Sequence, residues 1–176
     1  VSVYLLSSPW VRINQASFSV TQVNLVEAEN ALGGAIYTTD AELSVSGYTF
    51  SENVAYHAGA ILIDNVMKDV EDETLCETAI KIEDSKFEKN RSTEDGGAIY
   101  FSNTGTMSNI TVINSSASAA NGKALGGAVY RTNGNLYHAL FINNTVETDG
   151  GAVYWDTDNA GDFYDITFIS NSANRG

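Results

Sequence analysis

The sequence predicts an all-β solenoid, a parallel β-helix of about six coils, on three observations. The word GGAIY at 33–37 returns at 96–100, GGAVY stands at 126–130 and 150–154, and a degenerate copy, AGAIL, at 58–62. A second word, Phe-x-x-Asn, alternates with it: FSEN (50–53), FEKN (87–90), FINN (141–144) and FISN (168–171), with TQVN (21–24) and TVIN (111–114) placing Thr in the Phe slot. Between the words lie short runs of β type with alternation, such as IKIEDSKF (80–87) and DFYDITF (162–168). Words repeated at intervals of 24 to 38 residues mark a unit that cannot bury its own apolar face and must stack on copies of itself.

Cutting before each glycine word gives one domain, 1–176, with coils at approximately 1–32, 33–57, 58–95, 96–125, 126–149 and 150–176. The first lacks GGAIY, but Val3 and Tyr4 of VSVY fit its Ile and Tyr slots. The shortest coils show the bare repeat, and the longer ones carry insertions in loops. Each coil reads as three short strands and three corners. Counting back from the Phe slot, the fifth residue is mostly apolar (Val45, Ile82, Thr106, Leu136, Phe163) and the third small or polar (Gly47, Asp84, Ser108, His138, Asp165).

Stacking at about 4.8 Å turns equivalent residues into ladders. Gly34, Gly97, Gly127 and Gly151 let the chain bend tightly into the strand. Phe50, Phe87, Phe141 and Phe168 form an interior aromatic stack, and Asn53, Asn90, Asn114, Asn144 and Asn171 bond corner backbone groups and one another. Strand alternation allows only one of the Ile/Val ladder (36, 61, 99, 129, 153) and the Tyr/Leu ladder after it to face inward. The next row, Thr38, Ile63, Phe101, Arg131 and Trp155, includes a charge and suits solvent. A regular strand then puts Tyr130 inside, whereas a corner puts Val129 inside, which the more uniform volume of the Ile/Val ladder favours.

At these residues the sequence resembles the chlamydial polymorphic outer-membrane proteins and related adhesin-like β-helix proteins, which carry alternating GGA[ILV] and FxxN words. The resemblance covers 33–176 and, by position, 1–32. It implies a right-handed parallel β-helix displayed outside the cell or on its surface, in an adhesive or structural role. The C-terminal membrane barrel of the autotransporter members has no counterpart in this sequence, so membrane anchoring does not carry over.

The formal charge of −13 argues against nucleic acid and anionic membranes as partners, since phosphate contacts need clustered Lys and Arg. Cys76 is the one cysteine, so no disulfide can form within the chain, and no cofactor is expected. No apolar run reaches the length of a membrane span. A chain that starts at Val1, without Met, reads as a processed product or a segment of something larger. Four sequons make Asn109, Asn143, Asn90 and Asn114 glycosylation candidates, with Asn90 and Asn114 in the ladder slot.

Catalysis is the competing reading: a polysaccharide lyase or glycoside hydrolase using Asp95, Asp149, Asp156 and Asp158 paired across neighbouring coils. The nine Lys and Arg are scattered, and His57 and His138 occupy corners of different coils without a Ser or Cys partner. DTDNAGD (156–162) lacks the third ligand and closing Glu of a calcium loop, and DVEDE (69–73) is a polar loop, so no metal is expected. The chain ends at the phase where it begins, Gly176 leading into VSVY, which predicts either part of a longer β-helix or head-to-tail contact between first and last coils. A non-enzymatic fibre subunit or adhesin stalk follows, with glycans or cell-surface ligands as further partners.

Overall fold

The computed structural model describes residues 3–6, 11–14, 17–19, 32–39, 43–64, 80–102, 105–120, 122–131, 134–156 and 161–175. Cys76, the runs TQVN and DVEDE, and Asp158 lie outside them. Among the described residues all regular structure is strand, and every strand pair is parallel. The chain is a parallel β-helix with three walls.

The first wall holds the glycine-word strands in chain order: β1 (Val3–Leu6), β4 (Ile36–Thr39), β8 (Ile61–Ile63), β12 (Ile99–Phe101), β16 (Val129–Arg131) and β19 (Val153–Trp155). Val3 pairs with Ile36 and Tyr4 with Tyr37, so VSVY takes the glycine-word position without its glycines. The second wall is folded into two limbs. One comprises β2 (Val11–Asn14), β5 (Leu43–Ser46), β9 (Ile80–Glu83) and β13 (Thr106–Ser108), and the other β3 (Ser17–Ser19), β6 (Thr49–Ser51), β10 (Lys86–Glu88) and β14 (Thr111–Ile113). In the last two coils both limbs are one strand, β17 (Asn135–Ile142) and β20 (Phe163–Ile169). The third wall, β7 (Val54–Ala55), β11 (Arg91–Ser92), β15 (Ser116–Ala117) and β18 (Thr145–Val146), uses two residues per coil. This fourth short segment leaves no periodicity in the sequence.

Corners explain the spacing. Gly47, Asp84, Asn109, His138 and Asp165 all have positive φ and bend the second wall between its limbs; five residues later Glu52, Lys89, Asn114, Asn143 and Ser170 do the same into the third wall. Only some of these are the Gly, Asn or Asp that favour left-handed backbone. Stacking against the neighbouring coil holds the others there, as where the Glu52 N–H donates to the Glu88 carbonyl at 2.9 Å.

Behind the second corner runs a buried polar ladder. The Asn53 backbone N–H and side-chain Nδ2 both donate to Asn90 Oδ1, at 3.1 and 2.8 Å, while Asn90 Nδ2 donates to the Phe50 carbonyl at 3.0 Å. Asn144 repeats the pattern, accepting from the Ser115 N–H at 2.9 Å and donating to the Val112 carbonyl at 2.9 Å. Asn171 does so for the Asn144 N–H and the Phe141 carbonyl. Each amide thus satisfies backbone groups of the coil before it, groups whose burial without a partner costs about 1–3 kcal/mol apiece.

Register corrects three sequence expectations. Phe87 pairs with Val112, not Thr111, so the ladder slot of that coil is Ser115, and Asn114 is an exposed corner residue. The same one-residue shift puts Met107 and Asn109 where Thr106 and Ser108 were expected. Phe18 pairs with Phe50, which makes Phe18, and not Thr21, the first coil's Phe slot. Sequence counting mistook a Thr beside the slot for its occupant because Val112 is a smaller apolar residue than the Phe it replaces.

The interior lies between the walls. Phe50 stacks on Phe87 at 4.9 Å and Phe141 on Phe168 at 5.4 Å, the two stacks separated by Val112. Ile36, Ile61, Ile99 and Val129 are fully buried, and so are Thr38, Ile63, Phe101 and Arg131 two residues on. The first-wall strand is therefore regular, with Val129 and Arg131 both inward and the Tyr row outward, and the expectation of Arg131 in solvent is overturned. Its guanidinium lies 3.8 Å over the Trp155 ring and 5.5 Å from that of Phe163, so π-faces compensate the loss of water. Burial brings its pKa down to about 10, which still leaves it charged at neutral pH.

The glycine pair is set by close approach of one coil to the next. A Cβ on Gly127 would collide with the Gly151 carbonyl oxygen and lie 2.7 Å from the Thr145 carbonyl carbon. Its neighbour Gly126 has φ +70°.

Two sets of variants test this account by chemical denaturation. Asn144→Ala strands the Ser115 N–H and the Val112 carbonyl and loses about 2–4 kcal/mol, whereas Asn143→Gly at the exposed corner stays within about 1 kcal/mol. Gly127→Ala loses about 3 kcal/mol or more, and Gly122→Ala, whose Cβ meets nothing within 4 Å, loses only the left-handed penalty of about 1–2 kcal/mol.

Candidate functional site

Alternation along the first wall sends every second side chain outward. Tyr37, Leu62, Tyr100, Tyr130 and Tyr154 form one register row across five strands. Tyr100 and Tyr130 stack at 4.7 Å with planes 15° apart, and Tyr130 and Tyr154 at 5.6 Å and 8°. The four tyrosines are half-buried and Leu62 is buried.

Polar groups border the row on both sides. Two residues beyond Leu62, Tyr100 and Tyr154, on the same face, stand Asp64, Ser102 and Asp156, and the Ser102 hydroxyl lies 3.2 Å from Asp64 Oδ1. At the other margin are His57 and Asp95, each just before its glycine word. The His57 ring is 5.6 Å from that of Tyr100 and edge-on to Tyr56 at 4.8 Å, and its Nδ1 is buried with no hydrogen-bond partner among the described residues. Asp95 accepts the Leu125 N–H at 2.8 Å. Burial raises the Asp95 carboxyl above its usual range, against that hydrogen bond and the nearby His57. Tyr100 is pushed up to about 12, first by burial and then by Asp95, Asp64 and Asp156. Tyr130 rises further through burial, Tyr100, Asp156 and Asp95. Both phenols keep their protons throughout the neutral range.

The buried Ile36, Ile61, Ile99 and Val129 bear out the expectation, favoured by their uniform volume, that the Ile/Val ladder faces inward. The signal that finds the outward tyrosines is the Tyr of GGAIY and GGAVY read with a regular strand, and Arg131 obscured it. Of the carboxylates proposed for catalysis, Asp95 and Asp149 are not on neighbouring coils. Leu125 separates Asp95 from Asp149 in the row before the glycine words, and Asp149 meets Arg175 at 2.8 Å. Ser102 and the coil of Arg131 separate Asp64 from Asp156. Among the described residues no group of three His, Cys, Asp or Glu is arranged to hold a metal ion, and no helix is long and apolar enough to cross a membrane.

The sequons divide by environment. Asn90 is 1% exposed with its amide engaged. Asn109, Asn114 and Asn143 are exposed corner residues; Asn109 Nδ2 donates to Asp84 Oδ1 at 2.6 Å, and Asn114 and Asn143 follow paired Ile113 and Ile142 on adjacent coils.

The last coil differs from those before it. Phe163, Tyr164, Phe168 and Ile169 on β20 are 40–64% exposed, whereas Leu136 and Phe141, paired with Phe163 and Phe168 one coil earlier, are fully buried.

No curated protein and no solved structure matches the chain. The family model for the Chlamydia polymorphic membrane protein (Chlamydia_PMP) repeat matches residues 84–102 and 138–154. Both spans have one footprint: a left-handed corner (Asp84, His138), the Phe strand, the ladder Asn, the glycine pair and the strand ending the unit. At these two places in its solenoid the chain is similar to the polymorphic membrane protein repeat.

Proposed function

We propose that the chain is a non-enzymatic structural module of an extracellular or cell-surface β-helix, in which a further coil, of this chain or of a second copy, stacks on β20. One observation carries this reading. Among the described residues β20 pairs with β17 alone and leaves Phe163, Phe168 and Ile169 exposed, on the side of a coil that each earlier coil buries under the next. At the opposite end β1, β2 and β3 run parallel to it and hold Val3, Ile13 and Phe18 in the rows that end at Val153, Phe163 and Phe168. A second copy docked there continues all three rows in register. Such head-to-tail contact does not close on itself, so it grows a filament, in which six strand spacings give a rise of about 29 Å per subunit.

The repeat shared with Chlamydia membrane proteins supports display at a surface. Asp149 is ion-paired with Arg175 and Asp95 accepts the Leu125 N–H, which counts against these two as a free carboxylate pair for hydrolysis. Exposed Asn109, Asn114 and Asn143 accept glycans in a host cell that modifies sequons, while Asn90 is enclosed by the ladder.

Sedimentation velocity over increasing protein concentration, followed by negative-stain electron microscopy, tests the assembly. The expected result is concentration-dependent association into rods with an axial repeat near 29 Å, reduced at least tenfold by Phe168→Asp. A monomer that stays dispersed at high concentration, or association that Phe168→Asp leaves intact, counts against it.

A further inference from the structure

We propose that the outward tyrosine row of the first wall is a binding platform for a neutral, extended polysaccharide lying along the solenoid axis and recognised through its hydroxyl groups. The buried Leu62 interrupts the row, and the three consecutive stacked rings of Tyr100, Tyr130 and Tyr154 span about 10 Å at about 4.8 Å per strand, room for about two sugar rings of a ribbon-like chain. Its side chains are already ordered, because Tyr100, Tyr130 and Tyr154 lock one another by stacking at 4.7 and 5.6 Å. A ligand therefore meets a surface with little rotamer entropy left to lose.

The chemistry of that surface selects the ligand. Stacking occupies the ring faces, so the outside meets ring edges and phenol hydroxyls. Ring edges are the positive end of the aromatic quadrupole, and the negative faces that would attract an ammonium or guanidinium are turned toward each other. A basic peptide thus gains little from the tyrosines despite the net charge of −13. The sheet's interior strands also have both backbone edges paired, leaving an extended peptide no ladder to join. Sugar hydroxyls, which both donate and accept, find matching groups. Phenols and the Ser102 hydroxyl serve in either role, and Asp64, Asp95 and Asp156 act as acceptors along the margins. With Tyr100 held up to about 12 by burial and these carboxylates, its hydroxyl remains a donor across the physiological range. The same carboxylates repel uronates, sulfated glycans and nucleic acids.

A purely structural ladder would look the same from outside, so the test separates stacking from hydrogen bonding. Calorimetric titration of the intact chain uses cellohexaose and N-acetylchitohexaose as neutral extended probes, oligogalacturonate as the anionic probe and hexalysine as the basic one. The expected result is binding of at least one neutral probe, no binding of oligogalacturonate, and an affinity unchanged between pH 6 and pH 9. Tyr130→Phe and Tyr154→Phe keep the stack and the melting temperature but weaken binding about 2–10-fold each, the worth of one hydrogen bond. Tighter binding of hexalysine than of either sugar reassigns the face to a basic partner and overturns the proposal. So does unchanged sugar affinity in both Phe variants, or no neutral probe binding at millimolar concentration.

Discussion

Parallel stacking in constant register is the constraint on which everything else in this chain depends. A coil can hydrogen-bond to its neighbours along three walls only if its main chain follows the same path as theirs, residue for residue. Any position where that path bends must bend in every coil, and any backbone group hidden by a bend must find a partner in every coil. The asparagine ladder is the answer at the second corner: each side chain reaches back one coil, accepting a backbone N–H there and donating to a carbonyl. Ser115 shows the tolerance of the arrangement. Its shorter hydroxyl still takes the Asn90 N–H, at 3.3 Å, while its own N–H is covered by Asn144.

The glycine pair answers a different demand, that two main chains come within touching distance. Where the path permits negative φ, as at Ala58, the first glycine is dispensable, which accounts for AGAIL. The second is not, because Gly59 stands against Arg91 backbone and the Gly97 carbonyl. Steric and hydrogen-bonding requirements thus repeat with the coil, and the sequence repeats because they do.

The parts legible in the sequence were those that a ladder forces to one residue type. Glycine pairs, ladder asparagines and most Phe slots are of this kind, and they give the fold. The first left-handed corner was legible in the small or polar Gly47, Asp84, His138 and Asp165, but the residues of the second were not, because Glu52, Lys89 and Ser170 have no turn preference of their own and are held by neighbouring coils. Val112 hid a slot because the interior accepts a smaller apolar side chain between two aromatic stacks. Arg131 misled about its own row and about the regularity of the strand, since a buried cation served by two aromatic rings reads in sequence as a surface charge, although the inward Ile/Val ladder was the favoured expectation.

The two left-handed corners are five residues apart in each of the five coils where both are described, from Gly47 and Glu52 to Asp165 and Ser170. The interval from the second glycine to the first corner, by contrast, runs from 11 residues (Gly127 to His138) to 25 (Gly59 to Asp84). Growth and trimming of the chain therefore concentrate along the edge leaving the tyrosine wall, with one further insertion between Asn114 and Gly126, while the interval between the two corners is copied without change. New peptide can be spliced into that edge without altering how any coil sits on the next, so the margin of the wall is free to diversify on an invariant frame.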